Sequence, residues 1–476
     1  MKLDEKQIGR IVERVVDRLG ADVLGGATRA VAGPRATQNG SGRGVFETVD
    51  NAVAAARRAF EEFRECSLET RHRVVDAMRR TTLEHNEELC RMTVDETGLG
   101  RYADKIEKNK LAANKTPGPE ILTPWCQTGD NGLSIMERAP YGVIGAITPC
   151  TNATETIINN GISMLSAGNA VVFNVHPSSR GVCNYHVSLL NQAIESAGGP
   201  ANLLCSIHKP TIASAGALMT HAGVRLLCVT GGGGVVKAAM NSGKRAIAAG
   251  PGNPPVVVDD TCDLNRAAEG VIAGASLDNN IVCIDEKVLI AVADIADALK
   301  REMKKRNVVE LSTGDIRRLE KVIVTPDNHI NRDFIGKNPS VILKEIGINV
   351  GDEVRLVLCE VDEKHPFVQH EQLMPVLPIV RVPNVDDAIE CARRVEHGYG
   401  HTAVMYSRDI EALHKMARVM DVSIYVKNAP STAGIGSGGE GYTSFTIASP
   451  TGEGLTTAIS FSRQRRCTLK EYFRIV

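Results

Sequence analysis

Residues 1–20, MKLDEKQIGRIVERVVDRLG, set Ile8, Ile11, Val12, Val15, Val16 and Leu19 at helical spacing, with charged residues on the other face. Gly20 is the expected stop. Residues 21–43 are rich in Gly, Ala, Ser and Thr without either period, which predicts a flexible linker. An amphipathic helix on such a tether suits a groove on a partner, or else a site on its own domain or oligomer. From Val45, TVDNAVAAARRAFEEF and LETRHRVVDAMRRTTLEHNEELCRMTVDETG predict two helices, the first capped by Thr48 or Asp50. An alternating stretch over 133–142 predicts an extended arm outside the main sheet, spanning about 128–142.

Four short, nearly continuous apolar runs follow: GVIGAIT (142–148), AVVFNV (170–175), ANLLCSI (201–207) and VRLLCVT (224–230). Helical segments at about 152–166, 178–197 and 210–221 separate them. Apolar strands alternating with helices predict a doubly wound parallel sheet covered on both faces, with ligands beyond the carboxyl ends of the strands. A second series of the same kind begins at PVVVD (255–259) and includes a helix near 263–275, KVLIAVA (287–293), VLPIVRV and TAVMYS. The chain thus reads as two α/β units meeting near residue 250.

Composition changes this picture mainly by exclusion. The 476 residues are 43% apolar and 23% charged, as in an ordinary globular protein of two or three units. Lys plus Arg number 55 and Asp plus Glu 56, which leaves no field for gathering nucleic acid or anionic lipid. Aromatics at 4% offer no base-stacking platform. No apolar run approaches the ~18–20 residues that span a bilayer. The first residues lack a secretory core and cleavage site, so the expected location is inside the cell. None of the twelve cysteines forms a C-x₂-C pair. In a reducing compartment most are expected to be buried hydrophobes.

Four places stand out chemically. Thr230-Gly231-Gly232-Gly233-Gly234 follows a strand and precedes VVKAAM, which suits either a tight turn or a phosphate cradle at a helix start. SLDNNIVCIDEKVLIA puts Cys283 between a polar turn and an apolar strand, where substrate can reach it; Cys150, in TPCTN, is its rival. Asn152 lies just beyond a strand end, either as an ordinary helix cap or as an amide donor to an oxyanion. Glu371 precedes an apolar strand, either as a surface carboxylate or as a partner for a ribose hydroxyl.

Together these pieces resemble the aldehyde dehydrogenase superfamily over residues 44–470. Thr148-Pro149-Cys150-Thr151-Asn152 resembles its Pro-x-Asn oxyanion loop with one residue inserted. SAGNAVVFNVHPSS is similar to its GN-x-VV-x-KP-[ST] strand, with His176 near the usual lysine. TGGGGVV resembles its pyrophosphate turn and EQLMPVLPI its ribose-binding segment. The nearest likeness is to the CoA-acylating branch, the propanal and acetaldehyde dehydrogenases of bacterial microcompartments, carried by GDNGLSIMERAPYGVIGAITPCTNATETIINN and DNNIVCIDEK.

The resemblance implies two doubly wound α/β domains plus a small oligomerisation arm. Residues 44–250 would bind the dinucleotide, 251–450 would be catalytic and 451–476 would serve oligomerisation. It implies Cys283 as nucleophile and Asn152 as its oxyanion partner. NAD would be held by Thr148, Pro149, His176, Thr230, Gly231, Gly232, Val235 and Glu371, and coenzyme A would be the cosubstrate; no metal is implied. Residues 1–20 would dock on a shell or core protein, placing the enzyme in the cytoplasm inside a microcompartment. His397 and His401, in HGYGHTA, match a stretch of this branch without an assigned role.

One departure bears on the product. Hydrolytic members carry a glutamate that activates water, whereas AIAAGPGNPP puts Ala248 or Ala249 at that place. No other acid lies between Val224 and Asp259. Without a positioned base, water loses a factor of about 10²–10⁴, while a thiol needs less help. The expected product is therefore acyl-CoA. The alternatives are a hydrolytic enzyme, an acyl-phosphate reductase or a non-catalytic assembly protein.

Overall fold

The computed structural model describes residues 43–475, so the helix expected over 1–20 and nearly all of the linker lie outside the described residues. In chain order the strands begin with β1 (Val45–Phe46), β2 (Trp125–Gly129), β3 (Gly132–Pro140), β4 (Val143–Ile147) and β5 (Ala170–Asn174). Next come β6 (Leu204–Ile207), β7 (Val224–Thr230), β8 (Ala246–Ala249), β9 (Pro255–Val258), β10 (Val288–Val292) and β11 (Val308–Glu310). They are followed by β12 (Leu356–Glu360), β13 (Val376–Val382), β14 (Thr402–Tyr406) and β15 (Ile424–Lys427). The last are β16 (Ile447–Ala448), β17 (Gly454–Leu455) and β18 (Ser462–Lys470).

Two sheets are parallel throughout. The first runs β1-β6-β5-β4-β7-β8 and the second β11-β12-β13-β10-β9-β14-β15. Every residue of β4 and β5 is buried, which explains why they read as continuous apolar runs rather than alternating ones. In β9, Val256 and Val258 enter one core and Val257 the other, so helices cover both faces of the second sheet as well. In the first sheet the chain steps outward from β4 through β5 to β6, then crosses to β7 on the other side of β4. That reversal opens a crevice beyond the carboxyl ends of β4 and β7.

The structure departs from the predicted elements in three places. The second predicted helix is two, Leu68–Glu84 and Asn86–Thr97, broken at His85. A further helix, Tyr102–Lys115, was not expected from the pattern; it buries Lys105, Lys108, Asn109, Ala112 and Ala113. The arm begins earlier than 128, with β2 pairing antiparallel to β3 and β3 to β18 over Gly132–Pro140 and Ser462–Lys470. Phe445, Ala448, Ala458 and Phe461 pack into the core of the first sheet, so the division expected at residue 450 does not follow the packing. Among the described residues no helix is long and apolar enough to cross a membrane.

Candidate active site

Three adjacent strands of the first sheet deliver the residues expected to hold a dinucleotide. Thr148 and Pro149 follow β4, His176 follows β5, and Thr230, Gly231 and Gly232 close β7 before the helix Gly233–Met240, which contains Val235. A Cβ placed on Gly232, Gly233 or Gly234 would meet nothing within 4 Å, and Gly232 has an ordinary φ of −62°. These glycines therefore leave room rather than relieve backbone strain, which is what a pyrophosphate lying against N–H groups requires. Gly231 donates its N–H to the Ala249 carbonyl at 3.1 Å, and the hydroxyls of Thr230 and Thr446 lie 3.0 Å apart. The Thr148 hydroxyl is buried beside this crevice without a partner among the described residues. The residues fit the group.

The second sheet supplies the loop that carries Cys283. After the helix Leu264–Ala275, Asp278, Asn279 and Asn280 all take left-handed φ values, 46°, 58° and 64°. Each is pinned. Asp278 accepts from Arg101 N at 2.6 Å and Lys105 Nζ at 2.9 Å. Asn279 accepts from Arg101 Nε and donates to the Gly336 carbonyl and to Asn338, all at 2.8 Å. Asn280 donates to the Ala275 and Glu286 carbonyls at 2.7 and 3.0 Å. The buried Lys287 ammonium closes the loop, reaching the Asn280 carbonyl at 2.7 Å and that of Val282 at 3.0 Å. Gly100, at φ 75°, admits Asp278: a Cβ there would lie 1.9 Å from its Oδ1.

Cys283 emerges from this loop partly exposed between the buried Val282 and Ile284. Burial pushes its thiol up to about 12, the Glu371 carboxylate adds to the rise, and Lys287 opposes it. Glu371 itself is raised to about 7 by burial, with Lys287 and the Gly252 N–H pulling the other way. The Gly252 N–H donates to Glu371 Oε1 at 3.4 Å. A Cβ on Gly252 would sit 2.9 Å from the Cys283 carbonyl oxygen and 3.1 Å from the His401 ring. Cys283, Glu371 and His401 therefore meet around one glycine.

His401 is buried, its Nδ1 2.9 Å from the Thr402 hydroxyl and its Nε2 without a partner among the described residues. Burial, reinforced by Lys287, lowers its pKa to about 4, so the ring is neutral at physiological pH. His397 is separate: it is exposed and bonds the Gln369 carbonyl at 3.1 Å.

Asn152 stands at the start of the helix Ala153–Ser166, yet its side chain makes no capping bond. Its Oδ1 accepts from the buried Lys108 ammonium at 2.7 Å. Lys108 also lies 2.7 Å from Asp278 Oδ2, so Asn152 and the Cys283 loop share one cation. Cys150, partly exposed beyond β4, has its thiol raised by burial and is not among the groups around Gly252.

Residues 42–333 and 355–455 match the aldehyde dehydrogenase family. The chain belongs to that family. It is 48% identical over 439 residues to the acetylating acetaldehyde dehydrogenase EutE of Salmonella typhimurium, covering 91% of this chain and 94% of that one. A crystal structure of Rhodopseudomonas palustris propionaldehyde dehydrogenase, with bound CoA and an acylated cysteine, superposes with a TM-score of 0.90 at 48% identity. It covers 91% of this chain and 99% of its own. Two variant structures of the propionaldehyde dehydrogenase from the Clostridium phytofermentans fucose utilisation microcompartment are 44% identical. They cover 91% of this chain and 100% of theirs, with TM-scores of 0.89 and 0.90. One replaces a cysteine by alanine and the other a histidine. Those two positions stand as far apart in that sequence as Cys283 and His401 do in this one.

Within this aldehyde dehydrogenase the sequence reading missed Lys108, Lys287 and the placement of His401. Ala248 and Ala249 are buried in β8, but Glu371 arrives from far along the chain. The cysteines expected in the core include two that are exposed, Cys126 and Cys467, both on the arm.

Proposed function

We propose that this chain oxidises a short aliphatic aldehyde, propanal or acetaldehyde, with NAD and coenzyme A to acyl-CoA and NADH through a thioester on Cys283. The convergence of Cys283, Glu371 and His401 around Gly252 carries the reading. The Cys283 sulfur attacks the carbonyl carbon and gives up its proton to water at the partly exposed thiol. Asn152 Nδ2 and the Cys283 N–H receive the oxyanion; one such donor is typically worth about 10²–10³ in rate. Thr148, Pro149, His176, Thr230, Gly231, Gly232 and Val235, with Glu371 at the ribose, would hold NAD, which would supply the hydride acceptor. The unpartnered Nε2 of His401 then takes the thiol proton of coenzyme A. The coenzyme A sulfur adds to the thioester carbonyl, and Cys283 departs as thiolate. The place from which hydrolytic members activate water holds only alanine here, at 248 or 249, and the one carboxyl acting on the Cys283 thiol from outside its own loop, Glu371, is assigned to the cofactor ribose.

The likeness to microcompartment enzymes extends the reading to location and assembly. The enzyme works in the cytoplasm inside a microcompartment, with residues 1–20 docking on a shell or core protein. It is a homo-oligomer whose contacts include the exposed arm of β2, β3 and β18. Steady-state assays across C2–C5 aldehydes, with NAD or NADP and with or without CoA, test the activity. Acyl-CoA formation that requires CoA and vanishes in Cys283→Ala is expected. Free acid formed equally fast without CoA would replace this reading by a hydrolytic one, and turnover with phosphate in place of CoA by an acyl-phosphate reductase. Persistent turnover in Cys283→Ala would move the nucleophile.

A further inference from the structure

Four charged side chains are buried at one point: Lys105 and Lys108 from the helix Tyr102–Lys115, Glu155 from the helix Ala153–Ser166, and Asp278 from the nucleophile loop. Lys108 Nζ lies 2.7 Å from Asp278 and 3.1 Å from Glu155, and Lys105 Nζ lies 2.9 Å from Asp278. Burial works against the Lys108 charge, but Asp278 and Glu155 outweigh it and hold the ammonium above its ordinary value. Two carboxylates already balance the two cations. The bond from Lys108 to Asn152 at 2.7 Å is therefore not needed to neutralise a charge.

That bond has a geometric consequence. An ammonium has three donors and no acceptor, so only the carbonyl end of the Asn152 amide can face it. The N–H₂ end must point the other way. No capping bond competes for the Asn152 side chain, and no group among the described residues accepts from Nδ2. We infer that Lys108 is a positioning residue: it holds the Asn152 amide in the one orientation that offers Nδ2 to the oxyanion on Cys283, and through Asp278 ties that donor to the nucleophile loop. The inference rests on the proposed roles of Cys283 and Asn152.

Single-turnover NADH formation from propanal without CoA, in the full-length protein, separates the outcomes. The wild type comes first, since absence of NADH formation there is a failure of the functional reading itself. Given normal wild-type turnover, Lys108→Met and Asn152→Ala should each slow the step by roughly 10²–10³. The double variant should be no slower than the slower single, because both remove the same donor. Alkylation of Cys283 by iodoacetamide should stay within about twofold of wild type, a readout that general disruption of the loop would move. Multiplying effects in the double variant, or a Lys108→Met rate near wild type, would overturn the inference. If Lys108→Met does not fold, Asn152→Asp decides. It keeps an acceptor facing Lys108 but has no N–H, so it should fold and be as slow as Asn152→Ala; a wild-type rate would overturn the inference.

Discussion

The turn at Thr230–Gly234 closes a strand of the first sheet, the turn at Asp278–Asn280 precedes Cys283, and they are built in opposite ways. The first is empty: space surrounds Gly232, Gly233 and Gly234. The second is full, with three consecutive non-glycine residues in left-handed conformation and a hydrogen bond on nearly every side-chain polar atom. Left-handed backbone costs about 1–2 kcal/mol per residue, less for Asn and Asp. Hydrogen bonds to charged groups contribute about 1.5–3 kcal/mol each, so the bonds to Arg101, Lys105 and Lys108 outweigh the backbone cost. An empty turn leaves its binding capacity for a ligand. A full turn uses it to hold the Cys283 loop in place.

The largest effect should come from the charge inside the full turn. Asp278→Asn leaves Lys105 buried without a carboxylate, and breaking such a pair costs about 3–5 kcal/mol. Urea unfolding reads it; a loss below about 1 kcal/mol would mean that charge does not hold this turn. A paired substitution sharpens the contrast. Asn279→Gly relaxes a φ of 58° yet gives up the bonds to Arg101, Gly336 and Asn338, so a net loss of about 1–3 kcal/mol is expected. A stabilised variant would show that strain, not bonding, dominates. Gly232→Ala should leave stability within about 0.5 kcal/mol and raise KM for NAD several-fold; unchanged KM would remove this turn from the cofactor site.

A further effect concerns pH. Burial lifts Glu371 to about 7 in the folded protein, above its unfolded value. The protonated carboxyl therefore favours the folded state, and that contribution is lost as pH rises through about 7. Glu371→Gln should make the fall in stability between about pH 4.5 and 7 shallower without abolishing it, because Glu286 is also raised to about 7 by burial. Unfolding midpoints across that range measure the difference. An unchanged slope would place Glu371 in a more solvated setting than the structure shows.

What was legible followed from repetition of one property along the chain. β4, β5 and β7 could be placed to within a residue or two because parallel strands buried on both faces must be apolar almost throughout. Cys283 stood out because a cysteine between a polar turn and an apolar strand differs from one inside a strand. The helix Tyr102–Lys115 was invisible for the converse reason. Three of its five buried residues are Lys105, Lys108 and Asn109, which register as surface on any hydrophobic scale, and the partners of the two lysines, Asp278, Asn152 and Glu155, lie far along the chain. His401 escaped similarly, since the Gly252 that brings it to Cys283 comes from another strand end.

By itself the sequence determined two parallel α/β sheets, a spacious glycine turn and a cysteine at a strand mouth, because local periodicity and composition encode burial and backbone freedom. Only the tertiary structure decided which polar groups share an interior: Glu371 and His401 beside Cys283, and Lys108 between Asn152 and Asp278. Buried charge is tolerated only where a partner meets it, and nothing in the local sequence of a lysine says where that partner will be.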